Sequence, residues 1–587
     1  MFMLTIVLAL WYNACIISGM HIHIIPNRGS PPTVLLRESV RQGDKIAKRT
    51  LANLSSLPMA QIEGIRAVLK GQELRPVSQL FEVTSSRAHG HVEAVAETMK
   101  KLGFAALVDA KPSRERDLVL AVVAARILAP NTKLATTRWW HTTSLAETFQ
   151  VADATEDDLY EAMDWLLERQ DRIQKKLSAR HLHKGGLALY DLSSSYFEGT
   201  TCPLAKLGYS RDGKKGLLQV NYGLLTDRRG CPVAVSVYEG NTSDPDTLMP
   251  EIHRLKDGFG IDSFVIVGDR GMISQKSIDE IRTQDGVAWI SALKSGAIRA
   301  LIADKTLQPD LFDERNLFEF TAPDYAGERL IACRNPQLAK LRAHKRDDLL
   351  AATEKELAKV QAMVESGKLK GQDKIGVRVG RIINRYKMAK HVTLDIQDRS
   401  FSYKRKHESI AQEAALDGLY VIRTSVKAEL MERDGCVRSY KFLTGCERAF
   451  RSLKTVDLKI RPIHHRLADR VRAHIFLCML AYYVEWHMRE AWRPLMFADE
   501  DQDAKKTRDP VAPAKRSEAA LRKVQSKHLD DGTPVHSFAT LMADLASIVR
   551  NTCRTPMAGD NAPTFQVTTT PSPYQQRAMA LINAIHL

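Results

Sequence analysis

The chain has 587 residues, 44% of them hydrophobic, which supplies ample core but exceeds one compact domain and predicts about three or four. A formal net charge of +16 favours a polyanionic partner, nucleic acid first and an anionic membrane surface second, over a basic protein with no such partner. Low-complexity tracts and short-period repeats are absent, so solenoid and collagen-like architectures are excluded.

Residues 1–19 are strongly apolar and admit three readings: a signal peptide, a short membrane helix, or an extension upstream of a start at Met20. No basic residue precedes the stretch and Asn13 interrupts it, which favours the start at Met20 and no membrane anchor. Residues 28–57 predict a basic strand–turn–strand unit turning near Gln42-Gly43-Asp44 and decorated by Arg37, Arg41, Lys45, Lys48 and Arg49. Residues 58–180 read as helical. Leu118, Val122, Ala125 and Leu128 share one face, and Leu159, Met163, Leu166, Ile173 and Leu177 recur at nearly heptad spacing. Trp139 and Trp140 fit a core better than a base stack. Residues 20–180 are therefore expected to form an N-terminal region of hairpin plus helices that binds DNA.

The pattern changes at 185–295. Gly186 to Phe197, Leu217 to Thr226 and Cys231 to Tyr238 read as meandering strands, with a turn at Asp227–Gly230. A helix near 247–256, the buried-type strand Ser263–Asp269, a helix near 275–282 and the strand Ala288–Leu293 follow. Residues 296–416 read as an inserted α+β domain: a long amphipathic helix over about 336–365, a basic helix with Arg378, Arg381 and Arg385, and two strands. The basic run is read first as a solvated face. Asp417 to Thr424 returns as an apolar strand opening a second core segment, 417–495. Residues 496–587 read as a charged, Pro-containing linker and a helical tail.

Two acids stand at costly places. Asp191 lies within an apolar strand and Asp269 at the end of another, where a charge needs pairing, solvent or a metal ion. Parallel neighbouring strands would bring them together, and a divalent cation would relieve their repulsion. Capping of the following helix is the plainer explanation for a strand-end Asp. On the predicted helix Cys446–Lys454, Glu447, Arg451 and Lys454 fall at i, i+4 and i+7, opposite Phe450 and Leu453. A surface salt-bridge ladder gives the same spacing. The His-x-His pairs (His21/His23, His89/His91, His181/His183) lack a third ligand pattern, and His464, His465 and His474, in a basic helical stretch that could touch DNA, are read first as packing residues. The eight cysteines contain no Cys-x-x-Cys, which excludes a sequence-local zinc pattern and fits a reducing cytoplasm.

The strand and helix order of 187–295, with one acid on the first strand and another after the fourth, resembles a ribonuclease H-like core. The third acid, on a late helix beyond a large insertion, resembles the DDE transposases of bacterial insertion sequences. Tyr440, Glu447 and Lys454 match three positions of the insertion-sequence-four superfamily signature, in which Tyr is followed after two residues by Arg, after three more by Glu and after six more by Lys. Leu443 stands where that signature has Arg, with Arg448 or Arg451 as substitute phosphate contacts. Asp191–Gly199, Gly208–Asp212, Gly240–Asp244 and Gly268–Gly271 also resemble this group, and Pro26–Pro31 with Arg49–Leu54 resembles its long-insertion branch.

This resemblance implies an α/β fold with a mixed-sheet core, a mostly helical N-terminal DNA-binding region and a helical C-terminal region. It implies cleavage at element ends and strand transfer into target DNA, with Asp191, Asp269 and Glu447 holding two Mg²⁺ or Mn²⁺ ions. Tyr440, Arg448, Arg451 and Lys454 would contact DNA, and a homodimer would hold two terminal inverted repeats. The alternatives are a catalytically inactive DNA-binding protein on the same scaffold, a ribonuclease H-like nuclease that cuts without joining, and a membrane-anchored protein.

Overall fold

The computed structural model describes residues 19–42, 45–72, 81–308, 312–503, 509–555 and 563–586. The apolar stretch before Gly19, and Gly43 and Asp44 of the expected turn, lie outside the described residues. The chain divides into two compact units, Met1–Ser86 with Arg550–Thr569, and Arg87–Val549 with Thr570–Leu587.

In the first unit, β1 (Met20–Ile25), β2 (Thr33–Gln42) and β3 (Lys45–Asn53) form an antiparallel sheet. Arg37 lies between His21 and Thr50, Ser39 is opposite Lys48, and Arg41 is opposite Ile46. Cross-strand partners share a face. His21, Arg37, Arg41 and Lys48 therefore lie on one side, while Glu38 lies on the other, opposite Arg49. Helix α1 (Met59–Leu69) buries Ile62. Strand β4 (Glu82–Ala88) closes this stretch of chain.

The second unit opens with a helical layer. Helix α2 (Arg114–Leu128) starts at Ser113, whose hydroxyl accepts from the Arg116 amide at 3.2 Å, a cap that contributes about 1 kcal/mol. Helix α3 (Glu156–Leu167) has a capping box between Thr155 and Asp158 and buries Leu159, Ala162, Met163 and Leu166 on one stripe. The near-heptad pattern breaks there. Ile173 and Leu177 belong to a separate helix, Gln170–His181. Trp140 is fully buried and Trp139 packs against the same core.

Eight strands make one mixed sheet. Strands β5 (Gly186–Tyr196), β6 (Gln219–Thr226) and β7 (Pro232–Glu239) meander antiparallel. The β6–β7 turn is held by the Asp227 carboxylate, which accepts from the amides of Arg229 and Cys231, and Gly230 takes φ +84°. Strands β8 (Phe264–Val267) and β9 (Val287–Ala292) run parallel to β5, all four residues of β8 being buried. Strands β10 (Leu317–Phe320) and β11 (Arg329–Arg334) come from the expected insertion yet join this sheet. The order is β10, β11, β14 (Leu419–Thr424), β9, β8, β5, β6, β7. Residues 336–405 have their own small core. Helices α4 (Pro336–Glu365) and α5 (Gln372–Tyr386) pack with β12 (Val392–Ile396) and β13 (Phe401–Arg405) through Leu357, Val360, Ile375, Val379 and Phe401. Arg378, Arg381 and Arg385 are exposed.

Helices α6 (Arg433–Lys441), α7 (Leu443–Arg451) and α8 (Ala468–Ala491) follow, and α8 is buried along nearly its whole length against α2 and α3. The tail contains helices, but it also carries β15 (Val549–Arg554) and β16 (Thr564–Thr568), which complete a sheet with β4. A strand whose partner lies far away in the sequence has no local signal, and the helical reading of the tail missed it. No single helix among the described residues is long and apolar enough to cross a membrane.

Candidate active site

The parallel register of β5 and β8 pairs Leu189 with Val267. Two residues past that pair stand Asp191, still within β5, and Asp269, just beyond the end of β8. The Asp191 carboxyl is pushed up to about 7 by burial and by the Asp269 charge, with a smaller contribution from Glu447 and opposition from Arg211. The three acids, spread over more than 250 positions of the sequence, are thus within electrostatic reach of one another. Asp191 Oδ1 accepts from the Leu192 amide at 2.9 Å. Asp269 Oδ1 accepts from the amides of Gly271 and Met272 at 2.9 and 2.8 Å, in the turn that follows β8. Each carboxylate keeps its Oδ2 clear of any hydrogen bond among the described residues.

Glu447 is placed by the buried face of α7. Cys446 puts its sulfur 3.2 Å from Thr226 Oγ1 on β6, and Phe450 meets the Tyr222 ring edge-on at 5.8 Å. The start of the helix reaches the β6–β7 turn because two glycines meet there. A Cβ on Gly445 would lie 3.1 Å from the Gly230 Cα, and the reverse holds for Gly230. With one face anchored, Glu447, Arg448 and Arg451 are exposed on the other.

Lys454 departs from the expected stripe. Residues Ser452–Val456 form a π-helical turn, which shifts the register after Arg451 and buries Lys454. Its ammonium lies 3.0 Å from Asp212, which also pairs with Arg461. Burial lowers the Lys454 pKa against the pull of Asp212. Tyr440 sits among the acids. Burial and then Asp269 push its hydroxyl up to about 12, Asp191 and Glu447 adding to this and Arg270 opposing it. Leu443, at the signature's Arg position, is half-buried against the apolar cluster that includes Cys446 and Val437.

Arg211 was not singled out by the sequence, although the stretch that contains it was. It bonds Asp244, and its backbone amide donates to Ser194 Oγ at 3.1 Å. Gly208 and Gly240 make this loop approach possible: a Cβ on Gly208 would fall 1.9 Å from the Gly240 carbonyl oxygen. His181 also has unforeseen neighbours. Its ring, Cys231 and His487 bring possible donor atoms within 4.8 Å, but Arg229 donates to His181 Nδ1 at 3.3 Å and places a fixed positive charge beside them. His465 and His474 are lowered by burial, to about 3 for His465, and pack on each other at 5.0 Å.

Residues 193–484 match the transposase DDE domain, and residues 22–79 match the IS1634 family transposase N-terminal domain. Asp269 and Glu447 lie inside the first match and Asp191 two residues before it. A search of curated proteins found no match. Among solved structures, a cryo-EM structure of the piggyBac transposase synaptic complex with hairpin DNA is similar at 10% identity, over 77% of each chain, with a TM-score of 0.32. With both an N-terminal and a DDE domain of this kind matched, the chain belongs to the DDE transposases of bacterial insertion sequences.

Proposed function

We propose that this transposase cleaves DNA at the ends of its element and joins the freed 3′ ends to target DNA, with Asp191, Asp269 and Glu447 as the catalytic carboxylates. The observation that carries the reading is the parallel register of β5 and β8, which brings Asp191 and Asp269 together with Glu447 nearby; their like charge raises the Asp191 carboxyl and fits a site completed by cations. The five strands β7, β6, β5, β8 and β9 support a ribonuclease H-like core, with the first three antiparallel and the last two parallel to β5.

The donors are all carboxylate oxygens, a set suited to Mg²⁺ or Mn²⁺ and not to zinc. Two such ions would supply charge that activates the attacking oxygen and neutralises the leaving one. The chain's own contribution is orientation. The Gly271 and Met272 amides fix the Asp269 carboxylate, the Leu192 amide fixes Asp191, and the anchored Cys446–Phe450 face of α7 holds Glu447 within electrostatic reach of Asp191. Tyr440 keeps its proton at neutral pH and can donate a hydrogen bond to a phosphate oxygen beside the acids. Arg448 and Arg451 offer exposed guanidiniums along the same helix. Lys454, committed to Asp212, fits the role of holding α7 against the Gly208–Asp212 loop. The N-terminal region would grip the terminal repeats, and a homodimer would hold two ends together.

The test is a labelled duplex carrying the flanking terminal repeat, incubated with Mg²⁺, Mn²⁺ or EDTA. Wild type is expected to cut at the repeat end only with metal. Asp191→Asn, Asp269→Asn and Glu447→Gln are expected to bind the duplex and leave it intact. The second reading, a DNA-binding protein without chemistry, is favoured by one observation, the apolar setting of Leu443. Tight binding by wild type with no cutting under any metal would establish that second reading, and Leu443→Arg would then be the variant expected to restore cleavage.

A further inference from the structure

A cavity of about 550 Å³ opens beside the acidic cluster, and its wall includes Tyr440 and Arg270. Both residues belong to the neighbourhood of the acids: Arg270 follows Asp269 in the turn after β8, and Tyr440 feels all three carboxylates. Further lining residues come from the inserted segment. The helix Ser295–Ala303 contributes Arg299, and α4 contributes Arg342, Lys345 and Arg346. Lys390 completes the lining cations.

The charges do not cancel. Only two carboxylates line the cavity, and both are occupied: Asp417 by Arg346 at 2.7 Å, and Glu413 by Lys390 and, at 3.0 Å, by His391. Arg270, Arg299, Arg342 and Lys345 have no ion pair among the described residues. A solvated cationic face is the plain reading of exposed bases on one helix. Here the bases come from three separate elements, converge on one concave space and repel one another there. A polyanion relieves that repulsion, and a phosphodiester backbone supplies evenly spaced charges of the required sign.

The geometry points to this cavity as a binding tract for the phosphates of a DNA strand leaving the acidic cluster, with Arg299, Arg342 and Lys345 as the residues that hold them. The inference rests on the reading of that cluster as the cleavage centre. It gives the inserted segment a role: the segment extends the sheet through β10 and β11 and lays a cationic wall next to Tyr440. Arg270 joins the two ends of the path.

The experiment measures affinity of the full-length protein for the terminal-repeat duplex in EDTA across a series of NaCl concentrations, and cleavage of the same duplex with Mg²⁺. For Arg299→Ala with Lys345→Ala, the slope of log affinity against log salt is expected to become shallower by about 0.9 for each phosphate that is no longer neutralised. Arg299→Lys with Lys345→Arg keeps the charges and is expected to keep the slope. Lys355→Ala, an exposed base on α4 outside the cavity, is expected to behave as wild type. If wild type binds and cuts while the double alanine variant shows an unchanged slope and affinity, the tract is refuted and the cleavage centre stands. If wild type neither binds nor cuts, the transposase reading itself has failed and the tract falls with it.

Discussion

Asp191 and Asp269 are neighbours because β5 and β8 run parallel and in register, each acid two residues past the Leu189–Val267 pair. That register brings the two carboxylates within electrostatic reach of each other, and Glu447 arrives from α7 to make a third. Without cations the arrangement costs stability, since desolvation and like charge both act on Asp191. In EDTA at neutral pH, Asp191→Asn is expected to melt a few degrees above wild type. Adding Mg²⁺ at about a hundred times its Kd should stabilise wild type by about 2.7 kcal/mol and the variant by much less. Thermal melts with and without metal decide this. An equal response of both proteins to Mg²⁺ would remove Asp191 from the ligand set.

Buried histidines set the acid side of the stability profile. Burial lowers His181 to about 4, and His465 and His487 to about 3. The unfolded chain takes up protons at these sites below about 6.5 while the folded chain does not, so it binds more protons in that range. Their contribution is therefore present above about pH 6.5 and is lost progressively as the pH falls toward 4. Urea unfolding at pH 7.5, 6 and 5 is expected to show declining stability, with a shallower decline for His487→Phe.

Asp212 is 2% exposed at its side chain and serves two cations, Lys454 and Arg461. Asp212→Ala leaves both without their partner and is expected to cost about 3–5 kcal/mol, as for other broken buried ion pairs. Lys454→Met leaves Asp212 with Arg461 and should cost distinctly less. Denaturant midpoints separate the two. Equal losses would show that Lys454, and not the carboxylate, is the hub.

Gly230 and Gly445 meet with their backbones nearly touching where α7 reaches the β6–β7 turn. Gly230→Ala adds a methyl group at φ +84° and against the Gly445 Cα. A left-handed non-glycine residue costs about 1–2 kcal/mol before any steric shift. The variant should retain duplex affinity within a few-fold and lose most metal-dependent cleavage, because Glu447 moves with the helix. A proportional loss of binding and cutting would instead indicate general unfolding.

The β2–β3 face with Arg37, Arg41 and Lys48 carries positive charge, and the acid among the described residues of these strands, Glu38, lies on the other face. Past Glu38 the sheet narrows to β2 and β3 alone, and a two-stranded ribbon fits the major groove of DNA. Replacing all three with Ala is expected to lower duplex affinity at least ten-fold near 0.1 M salt. Melting temperature should barely move, since surface substitutions stay within about 0.5 kcal/mol each. Gel-shift titrations beside thermal melts report both quantities.

Much of the fold is legible in the sequence. Burial alternation and continuous apolar runs mark β5 to β9 and β14. The placement of Asp191 and Asp269 at strand positions where bare charge is costly marks them as candidates, and the Tyr440, Glu447 and Lys454 spacing marks the third acid's helix. Other features depend on the meeting of distant residues. The π-helical turn at Ser452–Val456 turns Lys454 inward to Asp212, because a helix register shift answers to packing and has no side-chain period of its own. Strand β15 finds β4, and β10 and β11 join the main sheet, because β-pairing depends on edges that become available only when the chain has folded. Arg211 and the cationic cavity are invisible in the sequence for the same reason. Local sequence determines which face of an element is apolar and where a charge will be costly, since those follow from the periods of the helix and the strand. Which charges meet is decided by strand register and by close backbone approach at Gly208–Gly240 and Gly230–Gly445, and those are properties of the assembled structure.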